Sequence, residues 1–123
     1  MLMIRISLAV ALLANTAQAE SPLTAEEFDA YTQGRTITYG VQGQQVGAET
    51  YLRNRQVRWA FIREECMSGH WYPQGDQICF VYEGKPDHQC WWFFLGSGGL
   101  RAEYAGDGDT LFELPLDQDL VCA

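Results

Sequence analysis

The sequence predicts an all-β fold, a small antiparallel up-and-down β-barrel of about eight short strands with one N-terminal α-helix. Three observations point there. After Arg35 the chain breaks into short segments rich in aromatic and β-branched residues. Turn chemistry punctuates them at Gln42-Gly43-Gln44, Arg53-Asn54, Gln74-Gly75-Asp76, Gly84-Lys85-Pro86-Asp87, Ser97-Gly98-Gly99 and Gly106-Asp107-Gly108. Connections that short join antiparallel neighbours, because a parallel crossover needs about a dozen residues or more. Closing the meander removes its exposed edges. A two-sheet sandwich is the alternative arrangement.

Met1 to Ala19 reads as an export signal cleaved after Ala19. Arg5 supplies the basic start, Ile6 to Ala14 the apolar run, and Ala17-Gln18-Ala19 the small-x-small site. The apolar run is about half the length that spans a bilayer. An uncleaved N-terminal anchor is the other reading. Residues 20–123 then form one domain, expected in the periplasm as a monomer with no membrane insertion.

The helix comes next. Thr24 with Glu27 three residues on is a capping box. Leu23 and Phe28 are placed to form its hydrophobic staple. The helix is predicted over Ala25 to Gln33, with Gly34 suited to the left-handed turn that ends it. Phe28 and Tyr31 share the face that docks.

Strands are predicted at Thr36–Val41, Gln45–Leu52, Gln56–Ile62, Gly69–Tyr72, Gln77–Glu83, His88–Leu95, Leu100–Ala105 and Thr110–Leu114. Alternation assigns their faces. Ile37, Tyr39 and Val41 point inward from the first, Val57, Trp59 and Phe61 from the third, Ile78, Phe80 and Tyr82 from the fifth. Leu100, Ala102 and Tyr104 do so from the seventh. Cys90 to Leu95 breaks the rule, being apolar at every position, so both faces of that strand need cover. The N-terminal helix is the simplest cover for its outer face; a partner or ligand is the functional alternative.

Four cysteines in a short exported chain read as two disulfides. With Tyr82 opposite Asp87 in the hairpin, Cys79 falls opposite Cys90 at bridging distance. Cys66 and Cys122 then pair by elimination. The chain carries 16 acidic and 8 basic side chains, a net charge of −8 that becomes about −9 once Arg5 is removed. Such a surface repels nucleic acid and anionic membranes and tolerates cationic partners.

Catalytic chemistry finds little support. His70 and His88 are the two histidines, and neither lies in a nucleophile motif. Glu64 and Glu65 are adjacent and would point to opposite faces of a strand. Cys66, His70, His88 and Cys90 match no standard zinc spacing. Asp107-Gly108-Asp109 with Glu113 reads as a hairpin turn before it reads as a calcium loop. No metal, no cofactor and no enzymatic activity are expected.

The aromatic residues Trp71, Tyr72, Trp91, Trp92 and Phe93 are the candidate binding residues. Together with Phe94 they exceed what so small a barrel can hold inside. Tryptophan and tyrosine are frequent in binding hot spots. The expected function is non-catalytic binding of an unidentified protein partner or a small apolar ligand. A small periplasmic enzyme and an accessory subunit of an envelope complex are the alternatives from other classes.

Three resemblances bear on this. The helix, the meander and the triplet Gly69-His70-Trp71 look like a lipocalin, although the lipocalin Gly-x-Trp belongs to the first strand and here it opens the fourth. Ser97-Gly98-Gly99-Leu100-Arg101-Ala102-Glu103-Tyr104 is loosely similar to a loop of the periplasmic inhibitors of C-type lysozyme. That likeness implies an acidic protein that binds a cationic one. The fullest resemblance is to a group of small periplasmic proteins of Gram-negative bacteria. They share Leu23-Thr24-Ala25-Glu26-Glu27, Gly34-Arg35-Thr36, and Gly69-His70-Trp71 through Gly75-Asp76-Gln77-Ile78-Cys79 to Cys90. These motifs are a cap, turns and a disulfide, so the group implies a fold and no particular activity.

Overall fold

Eight antiparallel strands close into a barrel in simple chain order, each paired with the next and the last with the first. The computed structural model describes residues 2–4, 9–10 and 20–123. Arg5 and Ala17-Gln18-Ala19, on which the export reading rests, lie outside the described residues. Among the described residues no helix is long and apolar enough to cross a membrane.

Helix α1 spans Ala25–Thr32. The strands are β1 Thr36–Val41, β2 Gln44–Tyr51, β3 Gln56–Phe61, β4 Met67–Gln74, β5 Gln77–Tyr82, β6 Gln89–Gly96, β7 Gly99–Tyr104 and β8 Thr110–Glu113. All eight predicted strands are present, with ends shifted by a few residues. The largest gain is β4, which begins two residues earlier and runs two further because β5 pairs with it through Gln74.

The capping box forms on both sides. Glu27 N donates to Thr24 Oγ1 at 3.2 Å, and Thr24 N donates to Glu27 Oε1 at 2.9 Å. These bonds satisfy amides that the first helical turn leaves without partners. Gly34 ends the helix at φ 79°, a conformation that glycine adopts without a Cβ clash. Its amide then donates to Tyr51 O at 2.8 Å, which fastens the helix end to β2.

The helix does not cover the outer face of β6, as expected from the sequence; it plugs one end of the barrel. Phe28 is fully buried and meets Tyr51, Trp71, Phe80 and Phe93, with ring centroids 4.5–6.4 Å away. All four partners point inward. The physical reason is simple: the barrel interior needs a stopper more than the outer face of β6 needs a roof. Leu23 N donates to Phe93 O at 2.7 Å, on the part of β6 that extends beyond its pairing with β5. Glu113 fixes the same end. It accepts from Tyr31 Oη at 2.6 Å and Leu100 N at 2.9 Å, and pairs with Arg35 at 3.1 Å.

The inward alternation holds for Ile37, Tyr39, Val57, Trp59, Ile78, Phe80, Tyr82, Leu100 and Ala102, all buried. It fails at Val41, which is 41% exposed, whereas Phe61, 44% exposed, keeps its inward side and lines the mouth of the interior. Both lie at the rim opposite the helix. A register shift between Tyr39 and Gly40 leaves Val46 as the extra residue of β2, so β1 loses its regular facing there.

Outside, the C-terminal tail crosses β1 to β3. Leu114 N donates to Thr38 O at 2.8 Å, and Ala123 N to Glu64 O at 3.1 Å. Thr38, Ala48 and Ala60 line a groove that Leu120 and Val121 border. Cys66–Cys122 holds the tail, and Cys79–Cys90 crosses the β5–β6 ladder, where the two cysteines stand directly opposite.

Candidate functional site

Strand alternation creates an interior that the helix closes at one end only. Between Phe28 and the far rim lies a cavity of about 190 Å³. Its floor includes Tyr51, Phe80 and Phe93, and its walls include Tyr39, Trp59, Tyr82 and Trp91. Phe61, Met67 and Gln89 line it at the open end, where β3 stops and β4 and β6 begin. Gly47 makes room for one wall. A Cβ there would stand 2.5 Å from Trp59 Cζ2, so only glycine lets the indole lie across β2.

One carboxyl interrupts this apolar lining. Glu49 in β2 is 2% exposed and faces inward between Ile37 and Trp59 of the neighbouring strands. Tyr82 Oη donates to its Oε1 at 2.8 Å. Its other oxygen, Oε2, is buried without a hydrogen-bond partner. Burial pushes the Glu49 carboxyl up to about 8, against a smaller downward pull from the Tyr82 hydrogen bond. The other two buried phenols satisfy each other: Tyr39 and Tyr51 share a hydroxyl–hydroxyl bond of 2.7 Å. Burial raises the pKa of Tyr39, Tyr51 and Tyr82 alike, which keeps all three phenols neutral.

The five aromatic candidates separate. Trp91 and Phe93 line the cavity. Trp71 is buried under Phe28 at the plugged end, 5.1 Å between ring centroids, and the Arg55 guanidinium lies 4.8 Å from its ring. Tyr72 and Trp92 are on the outside. Tyr72 Oη is 2.6 Å from His88 Nδ1, and Trp92 Nε1 donates to Asp76 Oδ1 at 3.0 Å. Phe94, also outward, sits 4.5 Å from the Arg101 guanidinium, which in turn pairs with Glu20 and Glu103. The outer face of β6 is therefore partly covered by side chains of adjoining turns and strands, with Trp92 and Phe94 half-buried.

His70 and His88 flank Tyr72, at ring distances of 6.4 and 5.7 Å. Among the described residues no group of three or more His, Cys, Asp or Glu side chains is placed to hold a metal ion.

Sequence reasoning missed Glu49, the most perturbed carboxyl of the protein. The available signal was its parity with Tyr51, two residues on along β2, which puts both on one face. No family model, no curated protein and no solved structure matches the chain.

Proposed function

We propose that this protein is a non-catalytic binder that holds a small, mostly apolar molecule inside the barrel. The observation that carries the reading is the aromatic cavity of about 190 Å³, open opposite the helix, with one fully buried polar atom lacking a partner. Ligand sites combine apolar walls with a few placed polar groups, and this cavity has that composition. An engineered apolar cavity of about 150 Å³ accepts benzene, so the volume suits a single-ring molecule with a short substituent.

The reading includes export to the periplasm. All four cysteines are in disulfides, which oxidising compartments sustain. The acidic balance of the chain argues against nucleic acid as the ligand.

Trp59 and Trp91 line the cavity, so intrinsic fluorescence reports its occupancy. Titration with 2-phenylethanol, whose ring does not absorb in the red edge of the tryptophan band used for excitation, is expected to change the emission saturably at one molecule per chain. Ala102 also lines the cavity and is buried. Filling the space through Ala102→Leu should abolish the change while the melting transition persists. A linear, unsaturated response in the native protein would refute the reading.

A further inference from the structure

We propose that the ligand is a small aryl- or alkylamine bound as its cation, with Glu49 as counter-ion. The inference rests on the reading of the cavity as a binding site and names the chemistry that would fill it. Three independent features lead to it.

The first is the unmet hydrogen bond. Tyr39 and Tyr51 satisfy each other, and Tyr82 is spent on Glu49 Oε1. What remains is Oε2, buried and without a partner. Among the described residues no salt bridge reaches Glu49. Such an atom costs free energy in the empty protein whether or not it carries the acid proton, and an ammonium N–H removes that cost once the proton has left and Oε2 is an acceptor.

The second is the nature of the walls. Tyr39, Trp59, Tyr82 and Trp91 surround the carboxyl-bearing cavity. Aromatic faces carry negative charge density and attract ammonium groups, most strongly where water is excluded. The same faces repel a carboxylate.

The third is the field of the molecule. A net charge of −8 raises the local concentration of cations around the barrel and lowers that of anions.

Proton balance supplies a signature. In the empty cavity burial keeps Glu49 protonated at neutral pH, since its carboxyl is pushed up to about 8. The titratable groups that face it, Tyr39 of β1, Tyr51 of β2 and Tyr82 of β5, are neutral. The amine arrives already protonated. Forming the ammonium–carboxylate pair therefore releases the Glu49 proton to solvent, one per ligand bound. A neutral ligand releases none.

The test is calorimetric titration at about pH 6.5, well below the ordinary amine pKa, with phenethylamine, 2-phenylethanol and phenylacetate. Repeating it in buffers of different ionisation enthalpy counts the protons. Phenethylamine should bind about tenfold or more tighter than 2-phenylethanol, since a charged hydrogen bond outweighs a neutral one. It should release about one proton, and phenylacetate should bind weakest. Glu49→Gln should erase the preference for phenethylamine over 2-phenylethanol and the proton release. Should Glu49→Gln fail to fold, the proton count on the native protein still decides. Equal or weaker binding of the amine than of the alcohol overturns the inference and leaves the cavity reading standing. So does amine binding without proton release. If none of the three binds, the cavity reading falls and the inference with it.

Discussion

Tyr82 Oη donates to Glu49 Oε1 across 2.8 Å inside the barrel, joining β5 to β2 through the cavity. This single bond is the only one that reaches the Glu49 carboxyl among the described side chains, and it leaves the acid protonated at neutral pH. The consequence for stability follows from linkage. Below about 4.5, the ordinary carboxylate value, Glu49 is protonated in both the folded and the unfolded chain. Between 4.5 and about 8 the unfolded chain releases the proton and the folded one retains it. Stability therefore falls as pH rises through this window, by up to about 1.4 kcal/mol per pH unit from this group. Above it both states are ionised and the slope ends. Glu20 and Glu27 shift the opposite way, through bonds to Arg101 and Thr24, so their stabilisation is lost only under more acidic conditions. Urea denaturation of the native protein and Glu49→Gln across the window should show the slope in the first and its loss in the second. Parallel pH profiles would remove Glu49 as the source.

Gly69 stands opposite Tyr82 in the β4–β5 ladder. A Cβ at Gly69 would collide with the Val81 carbonyl and come within 2.9 Å of the Tyr82 ring. The glycine of the Gly-x-Trp triplet thus lets β5 approach and lets Tyr82 lie toward Glu49. Gly69→Ala forces backbone to move, because a carbonyl oxygen cannot rotate aside. The expected loss is about 1–3 kcal/mol, in the range of other overpacking substitutions. Gly43→Ala is the control: its turn leaves nothing within 4 Å of the added methyl, so backbone strain alone acts there. Denaturation midpoints of the two variants are to be compared. A Gly69→Ala loss no greater than that of Gly43→Ala would show that the crowding is relieved cheaply.

The strands, the capping box and the Cys79–Cys90 register were legible because each depends on neighbours close in sequence. Thr24 and Glu27 are one turn apart, and Cys79 and Cys90 are counted from the same hairpin. Faces were legible wherever the ladder is regular. They failed at Val41, where the shift between Tyr39 and Gly40 interrupts the period of two. The role of α1 was misread because its docking depends on barrel closure. Phe28 finds its place only when β2, β4, β5 and β6 have brought Tyr51, Trp71, Phe80 and Phe93 together. Glu49 was passed over for a related reason. A carboxylate in a strand reads as solvated until the register sets it beside Ile37 and Trp59.

The Cys79–Cys90 bridge stands in a short ladder. β5 and β6 pair only at Ile78–Trp91, Cys79–Cys90 and Phe80–Gln89, whereas β6 and β7 pair at six positions. The bridge therefore secures the weaker side of the wall that carries Phe80 and Trp91. The Cys66–Cys122 bridge closes a longer span, 56 residues against 11, but it holds a tail on the outside. In the chain-entropy account the two are worth about 4 and about 3 kcal/mol. Their local effects should differ. Removing Cys79 and Cys90 together should raise amide exchange in β5 and β6 and weaken ligand binding. Removing Cys66 and Cys122 should expose the tail to carboxypeptidase and leave the cavity intact. Loss of ligand binding in the second variant and its retention in the first would reverse this assignment.

Phe28 tests the plug directly. Its ring fills the end of the barrel beneath the cavity floor, in edge or tilted contact with four inward aromatics. Phe28→Ala removes that packing and leaves a void that the barrel cannot close, because its strands are fixed by hydrogen bonds on both sides. The expected cost is about 3–5 kcal/mol, as for other buried phenylalanines. The void adjoins Tyr51, Phe80 and Phe93, all of which also line the cavity. If the variant folds, it should admit a larger aromatic ligand than the native protein does. Phe28→Leu keeps most of the volume and should lose about 1 kcal/mol or somewhat more, with the native size preference retained. Denaturation and fluorescence titration with single-ring and two-ring ligands measure both effects. Equal size preference in Phe28→Ala and the native protein would mean that the plug and the cavity do not communicate, and that the floor formed by Phe80 and Phe93 is complete without the helix.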